Sequence, residues 1–183
     1  DKSKLEMATG IILDTIVGNY AQSEELRDTP SRVAMAYEEM LCGYDVDIES
    51  LFKTFDGEGK DQVIVMRHMP FTSVCSHHLL PFTGEAFVAY LPDKCAIGAS
   101  KFARLLKAYS CRLQMQERIA EQMAMAIMKY LEPHGVAVIL KGTHLCMTCR
   151  GTKSMGSDMV NSVMLGKFRE DATLRMEVLN LIG

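Results

Sequence analysis

The sequence predicts an α+β domain with an N-terminal helical extension, and three observations predict it. Helical periodicity runs through the first forty residues, strand-like runs begin near residue 63, and two long helical segments separate those runs into pairs. At 183 residues the chain has the usual size of a single domain. The expected division is a helical extension over residues 1–60 and a sheet-bearing domain over 61–183, together one structural unit. No internal repeat or low-complexity segment interrupts this pattern.

From Leu5 to Val17, Leu5, Ile11, Ile12 and Ile16 recur at helical spacing, and Gly18-Asn19 supplies a stop. Thr29 is placed as an N-cap with Pro30 at the first helical position, ahead of Val33, Ala36, Tyr37 and Met40 on one face. That second helix ends near Gly43, and Tyr44 to Lys60 reads as a loop with at most a short helix. Val63 to His68 and Glu85 to Leu91 read as antiparallel strands, the second closed by Pro92-Asp93. Ser100 to Tyr109 and Gln114 to Leu131 read as helices, with Ile119, Met123, Ala126, Ile127 and Tyr130 on a repeating face of the latter. Val136 to Lys141 and Met159 to Leu165 are two further strands, and Asp171-Ala172-Thr173 opens a terminal helix. Fourteen methionines, several between Met115 and Met128, read as flexible core filling because they fall at helical spacing.

Composition excludes several classes. The 48% hydrophobic and 23% charged content is ordinary globular usage, and no apolar run approaches the roughly 20 residues that span a bilayer. Residues 1–7 carry mixed charge and no secretory apolar stretch, so a cytoplasmic location without a membrane partner is expected. A net charge of -3 argues against nucleic acid as a partner, since phosphate backbones demand excess Lys and Arg. Six cysteines in a reducing compartment point to metal or chemistry rather than disulfides. Cys42, Cys95 and Cys111 stand singly and read as small core residues.

Cys75-Ser76-His77-His78 and His144-Leu145-Cys146-Met147-Thr148-Cys149 each adjoin a strand-like run and carry zinc-type ligands. Two arrangements fit. Cys75, His78, Cys146 and Cys149 would close a structural site, whereas three ligands with an open fourth position would make a catalytic one. His77 and His144 favour the open site, because imidazoles beside a metal suit proton transfer near neutral pH. An open zinc makes water a nucleophile near pH 7, so hydrolysis is the leading chemistry. Ser100-Lys101, Arg104, Arg150 and Arg32 suit phosphate, and Glu117 beside Gln116 matches the paired N–H donors of a guanine edge.

Seven blocks, taken in order, resemble the GTP cyclohydrolase I family: Thr29-Pro30-Ser31-Arg32-Val33-Ala34, Cys75 to Phe82, Val88 to Pro92, Gly98 to Lys101, Gln114 to Arg118, His144 to Gly151, and Leu165 to Arg169. The resemblance covers most of the chain. It implies the tunnelling fold (T-fold), an antiparallel sheet with two packed antiparallel helices, assembled as a homodecamer with active sites between subunits. It further implies conversion of GTP and water to 7,8-dihydroneopterin triphosphate and formate. On matching positions, Cys75, His78 and Cys146 would bind zinc, and His77 and His144 would transfer protons. Ser100 would assist an Amadori-type rearrangement, Gln116 and Glu117 would hold guanine, and Lys101, Arg104, Arg150 and Arg32 would hold the triphosphate. Cys149 has no ligand role in that pattern.

The chain departs from the family at several positions. Ser76 stands where the family has a glutamate, Met35 where a lysine commonly adds a phosphate contact, Met159 and Asn161 where threonines are usual, and Glu25 where a glycine is usual. These changes mark a divergent member and motivate two alternatives: the same chemistry on dGTP, GDP or GMP, or an inactive zinc-stabilised binding protein.

Overall fold

The computed structural model describes residues 1–56 and 62–183. The chain forms two compact units, Asp1–Cys42 and Gly43–Gly183. Gly43 and Tyr44 are tied to the sheet unit by hydrogen bonds and ring contacts. Gly43 N donates to Cys111 O at 2.9 Å, and Arg112 Nε donates to Gly43 O at 3.1 Å. The Arg112 guanidinium also lies 5.6 Å from the Tyr44 ring and 5.1 Å from the Tyr109 ring, a double cation–π contact.

The first unit pairs α1 (Lys2–Val17) with α2 (Thr29–Met40). A Cβ on Gly10 would lie 2.8 Å from Tyr20 Oη, so glycine is what lets that ring rest on α1. Thr29 is the first helical residue and Asp28 the N-cap, one position earlier than the sequence suggests. Asp28 bonds no backbone amide through its side chain and instead sits 3.6 Å from Arg32 in an exposed ion pair one turn on.

In the second unit β1 (Thr54–Asp56) pairs antiparallel with β4 (Cys95–Ile97). The main sheet has five strands in the order β5 (Leu113–Gln114), β2 (Ile64–Cys75), β3 (Pro81–Leu91), β6 (Gly135–His144) and β7 (Met159–Gly166). Every pairing in it is antiparallel except β2 with β5. The helices are α3 (Ser100–Ser110), α4 (Gln116–Leu131), the single turns α5 (Leu145–Thr148) and α6 (Lys167–Glu170), and α7 (Ala172–Ile182). The expected α+β class is thus the observed one.

Strand alternation explains the core. Ala86, Val88 and Tyr90 of β3, with Val136, Val138 and Leu140 of β6, pack against Phe102 and Leu105 of α3 and Ile119, Met123 and Ile127 of α4. The intervening Ala89, Leu91 and Ala137 meet Phe168 and Val178 on the opposite face. Both faces of the central strands are covered, which is why these strands read as almost unbroken apolar runs. Each fully buried large side chain of this kind contributes about 1.5–3 kcal/mol.

Several sequence expectations shift. β2 continues past His68 to Cys75 across a bulge between Met66 and Met69, with His68 in the left-handed region at φ 52°. Pro70 is tolerated there because β5 pairs only with Val74 and Cys75, leaving β2 an edge at the proline. Gln114 belongs to β5 rather than to α4. The Tyr44–Lys60 loop is entered through a 3-10 turn at Cys42–Asp45 and contains another at Glu49–Leu51 and then β1, and its end lies outside the described residues. Cys95 is half-buried against the core, as expected, Cys111 is half-buried, and Cys42 is exposed rather than a core residue. Met123 fills the core as expected, whereas Met125 is 58% exposed.

Asp171 caps α7 through Oδ1, which accepts from Thr173 N at 2.7 Å and Leu174 N at 3.2 Å. Asp171→Ala should lower stability by about 1 kcal/mol, read as a shift of the urea midpoint at unchanged slope.

Candidate metal centre

β2 ends at Cys75 and the chain reverses into β3 at Pro81. The reversal is closed by Leu79 N to Cys75 O at 2.9 Å and Cys75 N to Leu80 O at 2.8 Å, with Leu79 at φ 55°. Ser76 N donates to Gln114 O at 3.0 Å, tying the turn to β5. Across the sheet, β6 ends at His144 opposite Phe82, and the single turn α5 follows at once and presents Cys146. The paired ends of β2, β3 and β6 therefore bring two distant sequence motifs together.

The ligand atoms of Cys75, His78 and Cys146 all lie within 4.8 Å of one another, and Cys75 Sγ is 3.7 Å from His78 Nδ1. Tetrahedral zinc with bonds of about 2.0–2.3 Å sets its ligand atoms roughly 3.4–3.8 Å apart, so the donor set and spacing fit that ion. Burial pushes the Cys146 thiol up, the neighbouring Cys75 adds to the shift, and Arg150 opposes it. Two crowded thiols that resist ionising together are suited to a cation that holds both as thiolates.

Cys149 caps the end of α5, is exposed and stands outside this group. The closed four-ligand arrangement is therefore not assembled. His77 is exposed, with its ring edge-on to His78 at 6.1 Å between centroids. His144 is half-buried and stacked on Phe82, the rings 4.4 Å apart and 5° from parallel. Burial lowers the His144 imidazole below the ordinary histidine value, and Glu117 acts against that shift.

Gln116 opens α4, directly before Glu117. It is fully buried, and His144 Nε2 lies 3.0 Å from its Oε1. Its Nε2 donates to Asn161 Oδ1 at 2.8 Å, Met159 O at 2.9 Å and Leu140 O at 3.2 Å. Both ends of the amide are thus occupied by the protein, one of them by His144. The sequence does carry a signal for this in Gly142, a glycine inside a strand, where a Cβ would lie 2.5 Å from Gln116 Oε1.

Glu117 is exposed in the first turn of α4 and lines an open groove of about 410 Å³ with Asn161, Ser162 and Arg169. Arg150 follows α5 close enough to Cys146 to act on its thiol. Ser100, Lys101 and Arg104 occupy the start of α3, and no described hydrogen bond or ion pair joins them to the metal group. Arg32 belongs to the first unit. Among the described residues no helix is long and apolar enough to cross a membrane.

A Cys/His/Cys group at converging strand ends, with imidazoles beside it and no fourth protein ligand in the group among the described residues, could hold a metal ion, and three ligands are the number typical of a catalytic site. The comparisons with known proteins agree with that class and narrow it. The chain belongs to the GTP cyclohydrolase I family, whose model matches residues 5–183. It is 43% identical over 183 residues to GTP cyclohydrolase 1 of Halalkalibacterium halodurans, covering 100% of this chain and 97% of that protein. It is 44% identical over 184 residues to GTP cyclohydrolase 1 of Caldanaerobacter subterraneus subsp. tengcongensis, covering 100% and 97%. Among solved structures, an archaeosine synthase QueF-Like in the apo form has a TM-score of 0.48 and 16% identity, covering 60% of this chain and 97% of that one.

Proposed function

We propose that this chain is a zinc-dependent GTP cyclohydrolase I, converting GTP and water to 7,8-dihydroneopterin triphosphate and formate. The observation that carries the reading is the Cys75, His78 and Cys146 group with Cys149 outside it, in a chain of this family. Bound there, zinc supplies the Lewis acidity that makes water a nucleophile near neutral pH. His144, held by Gln116 and Phe82, and the exposed His77 move protons at the purine during ring opening. Glu117 and Gln116 hold guanine, Glu117 accepting from its N–H groups, and the Gln116 side chain also supports His144. Arg150, Lys101, Arg104 and Arg32 hold the triphosphate, and Ser100 assists the rearrangement of the ribose.

The open start of α3, unattached to the metal group within one chain, is consistent with sites completed by a neighbouring subunit. The tunnelling fold and a homodecamer of this chain are part of the proposal. Zinc-loaded protein incubated with GTP should release formate and develop pterin absorbance, and absence of product at high enzyme concentration sinks the reading. Ser76 leaves no carboxylate between Cys75 and His77, and Met35 is 49% exposed on α2 where a cation would have reached phosphate. Turnover of dGTP, GDP and GMP beside GTP decides whether these changes redirect the enzyme to another guanine nucleotide.

A further inference from the structure

Cys149 stands three residues beyond the ligand Cys146 and takes no part in the metal group. Its backbone continues the turn of α5, with φ -83° and ψ -17°, and its N–H donates to Leu145 O at 3.0 Å. Cys146-Met147-Thr148-Cys149 is therefore one helical turn with a thiol near each end. Residues three apart in such a turn share a face and stand about 5 Å apart at Cα. A disulfide spans roughly 4.4–6.8 Å between Cα atoms, so these two cysteines can be joined by side-chain rotation without moving a strand.

The thiols at this end of the sheet differ in access. Cys75 is 6% exposed and Cys146 is half-buried, whereas Cys149 is open to solvent. An oxidant arriving from solvent meets Cys149 first. We propose that Cys149 is a redox modification site: a peroxide oxidises it, Cys146 closes a disulfide onto it, and the metal group loses the thiolate that α5 supplies. In the first step the Cys149 sulfur takes one oxygen of hydrogen peroxide; the S–O bond forms as the O–O bond breaks, and the other oxygen leaves as water. In the second the Cys146 sulfur attacks the Cys149 sulfur, the S–O bond breaks, and the hydroxide released takes up a proton to leave as water. Two thiols have then given up two electrons and two protons, and one peroxide has become two waters. The group keeps Cys75 and His78, one short of the three protein ligands of a catalytic zinc site, and cannot retain the metal. A dithiol reductant reverses the change by exchange. The inference rests on the metal group of the proposed enzyme and is independent of its substrate.

The test treats zinc-loaded full-length protein with stoichiometric hydrogen peroxide and follows zinc release to a chromophoric chelator, the loss of thiols, and the peptides joined. The parent should lose two thiols for each zinc released, peptide masses should join Cys146 to Cys149, and dithiothreitol with added zinc should restore the metal. Cys149→Ser should load zinc as the parent does and release it about tenfold more slowly or less, having lost its exposed thiol. Cys42→Ser, which removes an exposed thiol elsewhere, should release zinc at the parent rate. Zinc retained by the oxidised parent overturns the proposal, as does equal release from Cys149→Ser. A bond mapped between Cys75 and Cys146, the other two thiols of the site, also overturns it, and this reading needs no variant. A parent that loads zinc yet turns over no GTP before oxidation sinks the proposed reaction, while zinc release and the mapped bond still decide the role of Cys149.

Discussion

Cys146→Ser protein is expected to emerge from zinc loading and desalting almost free of metal, whereas Cys149→Ser should retain it stoichiometrically. The asymmetry follows from placement. Cys146 sits in the single turn after β6 with its sulfur within 4.8 Å of the Cys75 and His78 ligand atoms, and Cys149 caps the far end of that turn, exposed. Losing a direct thiolate should weaken zinc binding by more than the roughly 10–100-fold typical of losing an outer supporting contact. Metal content by atomic absorption checks both variants. Zinc loss from Cys149→Ser would revive the closed structural site and argue against catalysis.

Gly142→Ala should destabilise the chain by about 1–3 kcal/mol, the range for overpacking a filled interior. The added Cβ would stand 2.5 Å from Gln116 Oε1. An exposed glutamine would swing aside at little cost, but this one is fully buried and bonded at both ends. Displacing it also breaks the hydrogen bond that holds His144, so turnover should fall together with the melting temperature while zinc content stays. In the double variant Gly142→Ala/Gln116→Ala the clash is gone, and the two changes should cost less together than their sum. Additive losses in such a cycle would show that Gly142 matters for some other reason.

The metal group was legible in the sequence because few residue types bind zinc and both motifs abut strands. Which of two cysteines three residues apart serves came only through the family resemblance, since spacing alone cannot tell where one helical turn begins and ends. The burial of Gln116 was hidden for a similar reason. Its partners are main-chain carbonyls of β6 and β7 and the side chain of Asn161, 45 residues away, and a polar residue beside Glu117 gives no hint of being buried. Strand existence was clear from β-branched runs, but the length of β2 was hidden by a bulge, where local twist breaks the alternation that marks a strand. The parallel contact of the two-residue β5 lay below any periodic signal.

The pairing of Phe82 with His144 makes metal uptake a reporter of correct assembly. Cys75 and His78 lie on the β2–β3 side of that pairing, and Cys146 on the β6 side. A slip of one residue between β3 and β6 would carry Cys146 about 3.3 Å along the sheet and turn His144 to the opposite face. Misregistered chains would then lack the pocket of sulfur and nitrogen, and the ion would select the one alignment in which the sheet is properly threaded.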